Sequence, residues 1–199
     1  MKKEVLPASA YRLLNPGCIT LVTTHSRNRN NVMTASWQMP VSIKPPLVAI
    51  AIAKTHLTAE FIKESSQFTL NIPPLSLLSQ AHYCGITPGR DRDKLKEAGL
   101  TLQKGKKVNA PVIEECIGNI ECQLWNTYDG GDHYIFVAEV VAAVADESFE
   151  NGWLFDKERK HFPVHHVWGN NYIVAGLKVT VLKGKEDKLE IKEENLPFG

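Results

Sequence analysis

The sequence predicts a mainly-β chain, an antiparallel barrel or sandwich rather than a doubly wound parallel sheet. Three observations carry that expectation. About six to eight short β-branched or apolar runs are separated by turn signals, and only two or three short amphipathic segments lie between them. Neither GxGxxG nor GxxxxGK[ST] occurs, so a dinucleotide-binding Rossmann unit or a P-loop has no support.

Asn15-Pro16-Gly17 reads as a turn, and Cys18 to Thr24 (CITLVTT) as a strand. The polar run His25 to Asn31 reads as a hairpin loop, with Val32 to Trp37 as the returning strand. Pro40 and Pro45-Pro46 interrupt the ladder. Leu47 to Ala53 (LVAIAIA) is apolar throughout, as in a strand buried on both faces or closed into a barrel wall. Thr58 to Ser66 predicts a short amphipathic helix with Phe61 and Ile62 inward. Phe68 to Ile72 predicts a strand closed by Pro73-Pro74, and Leu75 to Tyr83 a second helix.

Arg92 to Ala98 predicts a short helix stopped by Gly99 at the C′ position. Val112 to Leu124 reads as a strand or a bent pair around Gly118. Asp129-Gly130-Gly131-Asp132 is a tight turn, and His133 to Ala145 a long strand broken or bulged near Ala142-Ala143. Tyr172 to Leu182 reads as a strand containing Gly176, and the charged tail from Lys183 to Gly199 as an exposed edge or a mobile end. No repeat, low-complexity tract or linker divides the chain, so residues 1–199 are expected to form one domain.

Composition narrows the function. The chain has 199 residues, 23 Lys and Arg against 22 Asp and Glu, and a formal net charge of +1. The basic residues are dispersed, which argues against nucleic acid or an anionic membrane surface. No apolar run approaches the roughly 18–20 residues that span a bilayer, and Glu4, Pro7 and Arg12 interrupt any signal-peptide core. Cys18, Cys84, Cys116 and Cys122 form no CxxC pair and match no zinc spacing, as expected of free thiols in a reducing, cytoplasmic compartment.

Five constellations carry polar chemistry. Lys54-Thr55-His56-Leu57-Thr58 stands where a strand pattern gives way to a helix pattern. It reads as a phosphate cradle, with Thr hydroxyls, a charged Lys54 and helix-start N–H groups, or as an ordinary Thr-capped helix. Asn31 to Trp37, with small Thr34-Ala35-Ser36 before the indole, offers backbone N–H groups to the N5 and O4 edge of a flat isoalloxazine, or is a plain strand. Together these two point to a phosphorylated aromatic cofactor, FMN.

Arg90, Arg92 and Lys94 lie in or beside a loop from which they reach a phosphate, or form a solvated charge run. Gly131-Asp132-His133 enters a strand; His133 faces a cofactor or nicotinamide with Asp132 orienting it, or both only cap a turn. In His161 to His166 (HFPVHH), Pro163 argues against a helix that would bring His161 and His165 together on a metal, leaving cofactor-facing or interface histidines. Trp168 and Tyr172 either flank a flavin or fill the core. No Ser/His/Asp arrangement can be read from spacing.

As a set, these residues resemble the flavin reductase-like, FMN-binding split-barrel family, and its flavoredoxin-type members most. The marks are Pro16-Gly17, Asn31…Thr34-Ala35-Ser36-Trp37, Pro45-Pro46, His56-x-Thr58…Ile62, Phe68-x-x-Asn71, Gly89-Arg90…Asp93-Lys94 and Gly131-Asp132-His133, spread from about Leu14 to Leu177. The resemblance implies a Greek-key split barrel and a homodimer with FMN near the interface. It implies that Thr34, Ala35, Ser36 and Trp37 line the ring. Lys54, Thr55, His56 and Thr58 would hold the phosphate and ribityl tail, with Cys84, Arg90 and Lys94 nearby. Reductases of this family often show Gly-Asp-His followed four residues on by Gly-Glu-Val; here Ala138 stands where Gly is usual, before Glu139-Val140. The expectation is an NAD(P)H-dependent flavin oxidoreductase with hydride passing to flavin N5. The alternatives are an electron carrier with tightly bound FMN and a redox protein partner, or a barrel without flavin.

Overall fold

The computed structural model describes residues 17–147, 149–150, 153, 162–183 and 189–195. Asn15, Pro16 and His161 lie outside them. The strands are β1 (Gly17–Cys18), β2 (Thr20–Ser26), β3 (Arg29–Ala35), β4 (Gln38–Ser42), β5 (Leu47–Ala53), β6 (Gln67–Ile72), β7 (Leu102–Gln103), β8 (Val112–Ile113), β9 (Gly118–Gly130), β10 (His133–Ala145), β11 (His165–Trp168), β12 (Asn171–Ile173), β13 (Leu177–Lys183) and β14 (Leu189–Asn195). The helices are α1 (Leu57–Ser65), α2 (Leu78–Ile86), led by a 3-10 turn at Leu75–Leu77, and α3 (Lys94–Glu97).

Seven antiparallel strands form the main sheet in the order β3-β2-β6-β9-β10-β5-β4. The two end strands, β3 and β4, are consecutive in the chain, and only Ser36 and Trp37 separate them. Three peptide steps span at most about 11 Å. The far ends of a seven-stranded sheet must therefore approach one another, so the sheet curls into a barrel left open along the β3/β4 seam. The split β-barrel expected from the sequence is the fold found.

The long hairpin β9–β10 accommodates this curl with register shifts between Val137 and Ala138 and between Val140 and Ala142. Each extra residue bends its strand. Both faces of β2 are packed, as strand alternation dictates. Val22 joins an interior cluster with Ile50, Ile52, Phe68, Leu70, Cys122 and Phe136, closed by Ala59 and Ile62 of α1. Leu21 joins an outer cluster with Val32, Ala81, Cys84, Leu95 and Ile113, which seats α2 and α3. Helix α1 thus sits inside the sheet's curl and α2–α3 outside it, with β3 between them.

Several boundaries differ from expectation for local reasons. The His25–Asn31 loop shrinks to Arg27-Asn28, both left-handed at φ 52° and 55°, which lets the strands pair through Ser26 and Arg29. Pro40 does not end the ladder; it lies in β4, at the edge of the sheet, beside a register shift. Val112 and Ile113 pair with β7 and are separate from β9. The expected strand through Gly176 divides into β12 and β13, and the tail returns as β14 against β13.

Candidate functional site

Strand β5 ends at Ala53, opposite His133, and the Lys54 N–H donates to Asp132 O at 3.0 Å. The turn into α1 therefore rests on the β9–β10 hairpin. His56 occupies the N-cap position in an extended conformation and makes no side-chain capping bond. Thr58 is the second residue of the first turn, buried, and its hydroxyl accepts from Asn31 Nδ2 at 2.8 Å. The Thr-capped alternative thus does not describe this helix: the Ala59 and Glu60 N–H groups donate to His56 O, and the Leu57 and Thr58 N–H groups are left for an anion or water.

Those groups open on a cavity of about 190 Å³ lined by Asn31, Thr55, His56, Thr58, Cys84, Arg90 and Lys94, among others. Lys94 is its main electrostatic feature. The side chain is 5% exposed, and its ammonium donates to Cys84 O at 2.9 Å. Among the described residues no carboxylate stands within ion-pair distance of it. Burial holds its pKa below the ordinary lysine value, with the Cys84 thiol opposing. His56 is also held down, by burial first and then by the Lys94 and His133 charges, so its imidazole tends to neutrality. Cys84 is pushed up to about 11 by burial, and its thiol is no nucleophile at neutral pH.

The segment 87–93 roofs the cavity through Thr87, Pro88, Gly89 and Arg90, which stand in its lining. Gly89 comes so close to Asn31 that an added Cβ would strike the Asn31 side-chain oxygen. Arg90 donates to Thr55 O at 3.1 Å and pairs with Glu60. Arg29, read from the sequence only as part of a polar loop, donates to the carbonyls of Gly89, Arg90 (2.7 Å) and Arg92 (2.9 Å).

A second cavity, of about 230 Å³, adjoins the first across Gly85 and Ile86, which line both. Thr34, Ala35 and Ser36 form one wall; His82, His166 and Tyr172 stand in its lining too. The Thr34 hydroxyl donates to Ala81 O, tying β3 to α2. His82 Nδ1 lies 2.9 Å from the Tyr172 hydroxyl. Of these three residues the sequence singled out Tyr172 and the histidine run containing His166; His82 carried no local signal.

The structure thus collects Thr55, His56, Thr58, Cys84, Arg90 and Lys94 around one chamber and Thr34, Ala35 and Ser36 around its neighbour. Lys54 and Trp37 lie outside both. The Lys54 ammonium pairs with Asp129 at 2.7 Å and sits 5.1 Å from the Tyr134 ring centroid. Trp37 is 42% exposed, with its ring centroid 5.0 Å from that of His133. His133 Nδ1 lies 2.6 Å from Asp132 Oδ1. A chamber holding a buried lysine and a helix start thus adjoins a chamber with the small Thr34-Ala35-Ser36 on one side and His82, His166 and Tyr172 in its lining.

Residues 12–164 match the family model described as a flavin reductase like domain. An uncharacterized protein of Pyrococcus abyssi is 38% identical over 143 residues, which is 71% of this chain and 82% of that protein. The NADH-dependent FAD reductase of Streptomyces globisporus is 28% identical over 145 residues, 72% of this chain and 78% of that one. The solved flavoredoxin of Desulfovibrio vulgaris superposes with a TM-score of 0.76 at 30% identity, covering 88% of this chain and 94% of its own.

Proposed function

The chain belongs to the flavin reductase-like domain family, and on that premise we propose that it binds FMN and acts as an NAD(P)H-dependent flavin oxidoreductase. The buried Lys94 ammonium, without a carboxylate and facing the chamber at the α1 N-terminus, carries the reading. A cation held in that position is stabilised by a dianionic phosphate, and the Leu57 and Thr58 N–H groups and the Thr55 and Thr58 hydroxyls add donors. Thr34, Ala35 and Ser36 would hold the ring in the adjoining chamber. When bound, the flavin supplies hydride acceptance at N5 and onward electron delivery. The residues themselves bind, orient and shield, and no protein acid or base is assigned to the hydride step. His133, beside Asp132 and Trp37, is proposed as the nicotinamide contact.

Two relatives divide the finer reading. The Streptomyces protein is named an NADH-dependent FAD reductase, and the Desulfovibrio protein a flavoredoxin. Ala138, where reductases carry Gly, favours the second reading: an electron carrier supplied by a redox protein. Anaerobic mixing of FMN-loaded protein with NADH and with NADPH decides between them. Bleaching of the flavin band supports the reductase; a band unchanged by both supports the carrier. A purified protein that takes up no FMN would sink both.

A homodimer is part of the proposal. Met39, Val41 and Ile43 leave apolar side chains 60%, 46% and 89% exposed along the edge strand β4 and its following turn, a surface suited to a second copy. A cytoplasmic setting is supported by four free thiols. No described helix is long and apolar enough to cross a membrane.

A further inference from the structure

The roof over the anion chamber has an unusual mode of support. Residues 87–93 connect α2 to α3 without regular structure; the Asp93 carbonyl accepts from Glu97 N–H of α3, and the carbonyls before it belong to no helix or strand ladder. Three of them, on Gly89, Arg90 and Arg92, accept from the single guanidinium of Arg29. Arg29 begins β3, immediately after the left-handed Arg27-Asn28 turn. The same hairpin tip reaches α1 as well: Ser26 donates to Glu64 at 2.6 Å, and Arg27 pairs with Glu64. On the opposite side, Arg90 reaches Thr55 O and Glu60. One hairpin tip therefore joins the α1 wall of the chamber to its roof.

We infer that Arg29 is a positioning residue that latches the 87–93 roof over the anion end of the chamber and sets the rate at which a flavin phosphate leaves. It lines neither chamber and has no role in holding the ligand directly. Its planar fork suits several carbonyls at once, which a lysine cannot match. With the latch closed, Gly89 is pressed on Asn31 and Lys94 is kept inside. With it broken, the Arg90 contacts to Thr55 O and Glu60 are what ties the roof to the α1 side among the described residues. Whether FMN behaves as a resident group or as an exchanging substrate is then decided at a residue that never touches it. This inference rests on the FMN reading above.

The test uses FMN-loaded and ligand-free full-length chain. Release of FMN into excess apoflavodoxin, followed by flavin fluorescence, is expected to accelerate at least tenfold in Arg29→Ala and less in Arg29→Lys. Release of riboflavin, which leaves the phosphate end empty, changes less than twofold. In the ligand-free protein, trypsin cleaves after Arg90 and Arg92 at least tenfold faster in Arg29→Ala, with the far-ultraviolet circular dichroism unchanged. Should Arg29→Ala fail to fold, Arg29→Gln takes its place in both assays. Unchanged tryptic cleavage in a folded variant overturns the latch, as does equal acceleration of FMN and riboflavin. Failure of the wild-type chain to bind FMN would overturn the functional reading instead, and the proteolysis result would still decide the latch.

Discussion

Lys94 donates to the backbone carbonyl of Cys84 at 2.9 Å, ten residues away, and that is the only hydrogen bond its ammonium makes among the described residues. A buried cation with one neutral acceptor and no carboxylate is under-satisfied. Replacing it with Met, of similar length and apolar, is expected to weaken FMN binding by a factor of about ten or more. Riboflavin binding should change little. The ligand-free variant should be as stable as the wild type or more so. Isothermal titration with both ligands and urea denaturation check the set; equal loss for FMN and riboflavin would remove Lys94 from the phosphate.

The same residue has a pH signature. Its folded-state pKa is lowered from the ordinary lysine value, chiefly by burial, so the unfolded chain binds this proton more tightly than the folded one. Stability of the ligand-free protein should therefore rise with pH between the lowered value and the ordinary one. Below that window the full penalty of the buried charge applies. Cysteines whose thiols are pushed up by burial, such as Cys18 at about 11 and Cys122 at about 12, act in the opposite direction. The difference between wild type and Lys94→Met in urea titrations at several pH values isolates the lysine. A difference that is flat with pH would show that Lys94 ionises alike in both states.

Gly17 stands against Ser36, a lining residue of the second chamber. A Cβ built on it would stand 2.6 Å from Ser36 O, far inside contact distance. β1 and the β3–β4 link are thus in close backbone approach, and Gly17→Ala must push Ser36 toward or away from the second chamber, which it lines. The expected result is a similar loss of FMN and riboflavin affinity, unlike the selective loss for Lys94→Met. Parallel titrations of the two variants check it.

Strand existence was legible in the sequence because β2, β5, β6 and β10 are β-branched or apolar runs set between turn residues. The two-residue link at Ser36-Trp37 was also visible, but its meaning depends on strand order, which places β3 and β4 at opposite ends of one sheet. The residues gathered at the first chamber could be singled out in the sequence because charge and hydroxyls cluster locally at Lys54–Thr58 and Arg90–Lys94. Local clustering also included Lys54, whose side chain turns instead to Asp129, a partner 75 residues away. Arg29 and His82 were missed for the converse reason: their partners, the 89–92 carbonyls and Tyr172, are distant in the chain. A polar hairpin tip such as HSRNRNN carries no mark of which of its charges bridges two walls of a site.

Glu121 provides the clearest stability test away from the site. It lies on β9, 4% exposed, and its carboxylate accepts from three successive backbone N–H groups, those of Lys106 (2.8 Å), Lys107 (2.6 Å) and Val108 (3.0 Å). Burial pushes its pKa upward, but the three N–H donors together with the Lys106 charge outweigh this and hold it below the ordinary carboxylate value. The stability it contributes is therefore full above the unfolded-state value of about 4.3 and is lost as pH falls through the lowered folded-state value. Glu121→Gln removes the charge and presents an NH₂ group to at least one N–H donor, so it should destabilise by about 2 kcal/mol at neutral pH. The gap from wild type should narrow as the wild-type carboxylate is protonated in acid. Urea denaturation at pH 7 and near pH 3 measures both values. A gap that stayed constant between them would mean that Glu121 acts through shape and not through its charge.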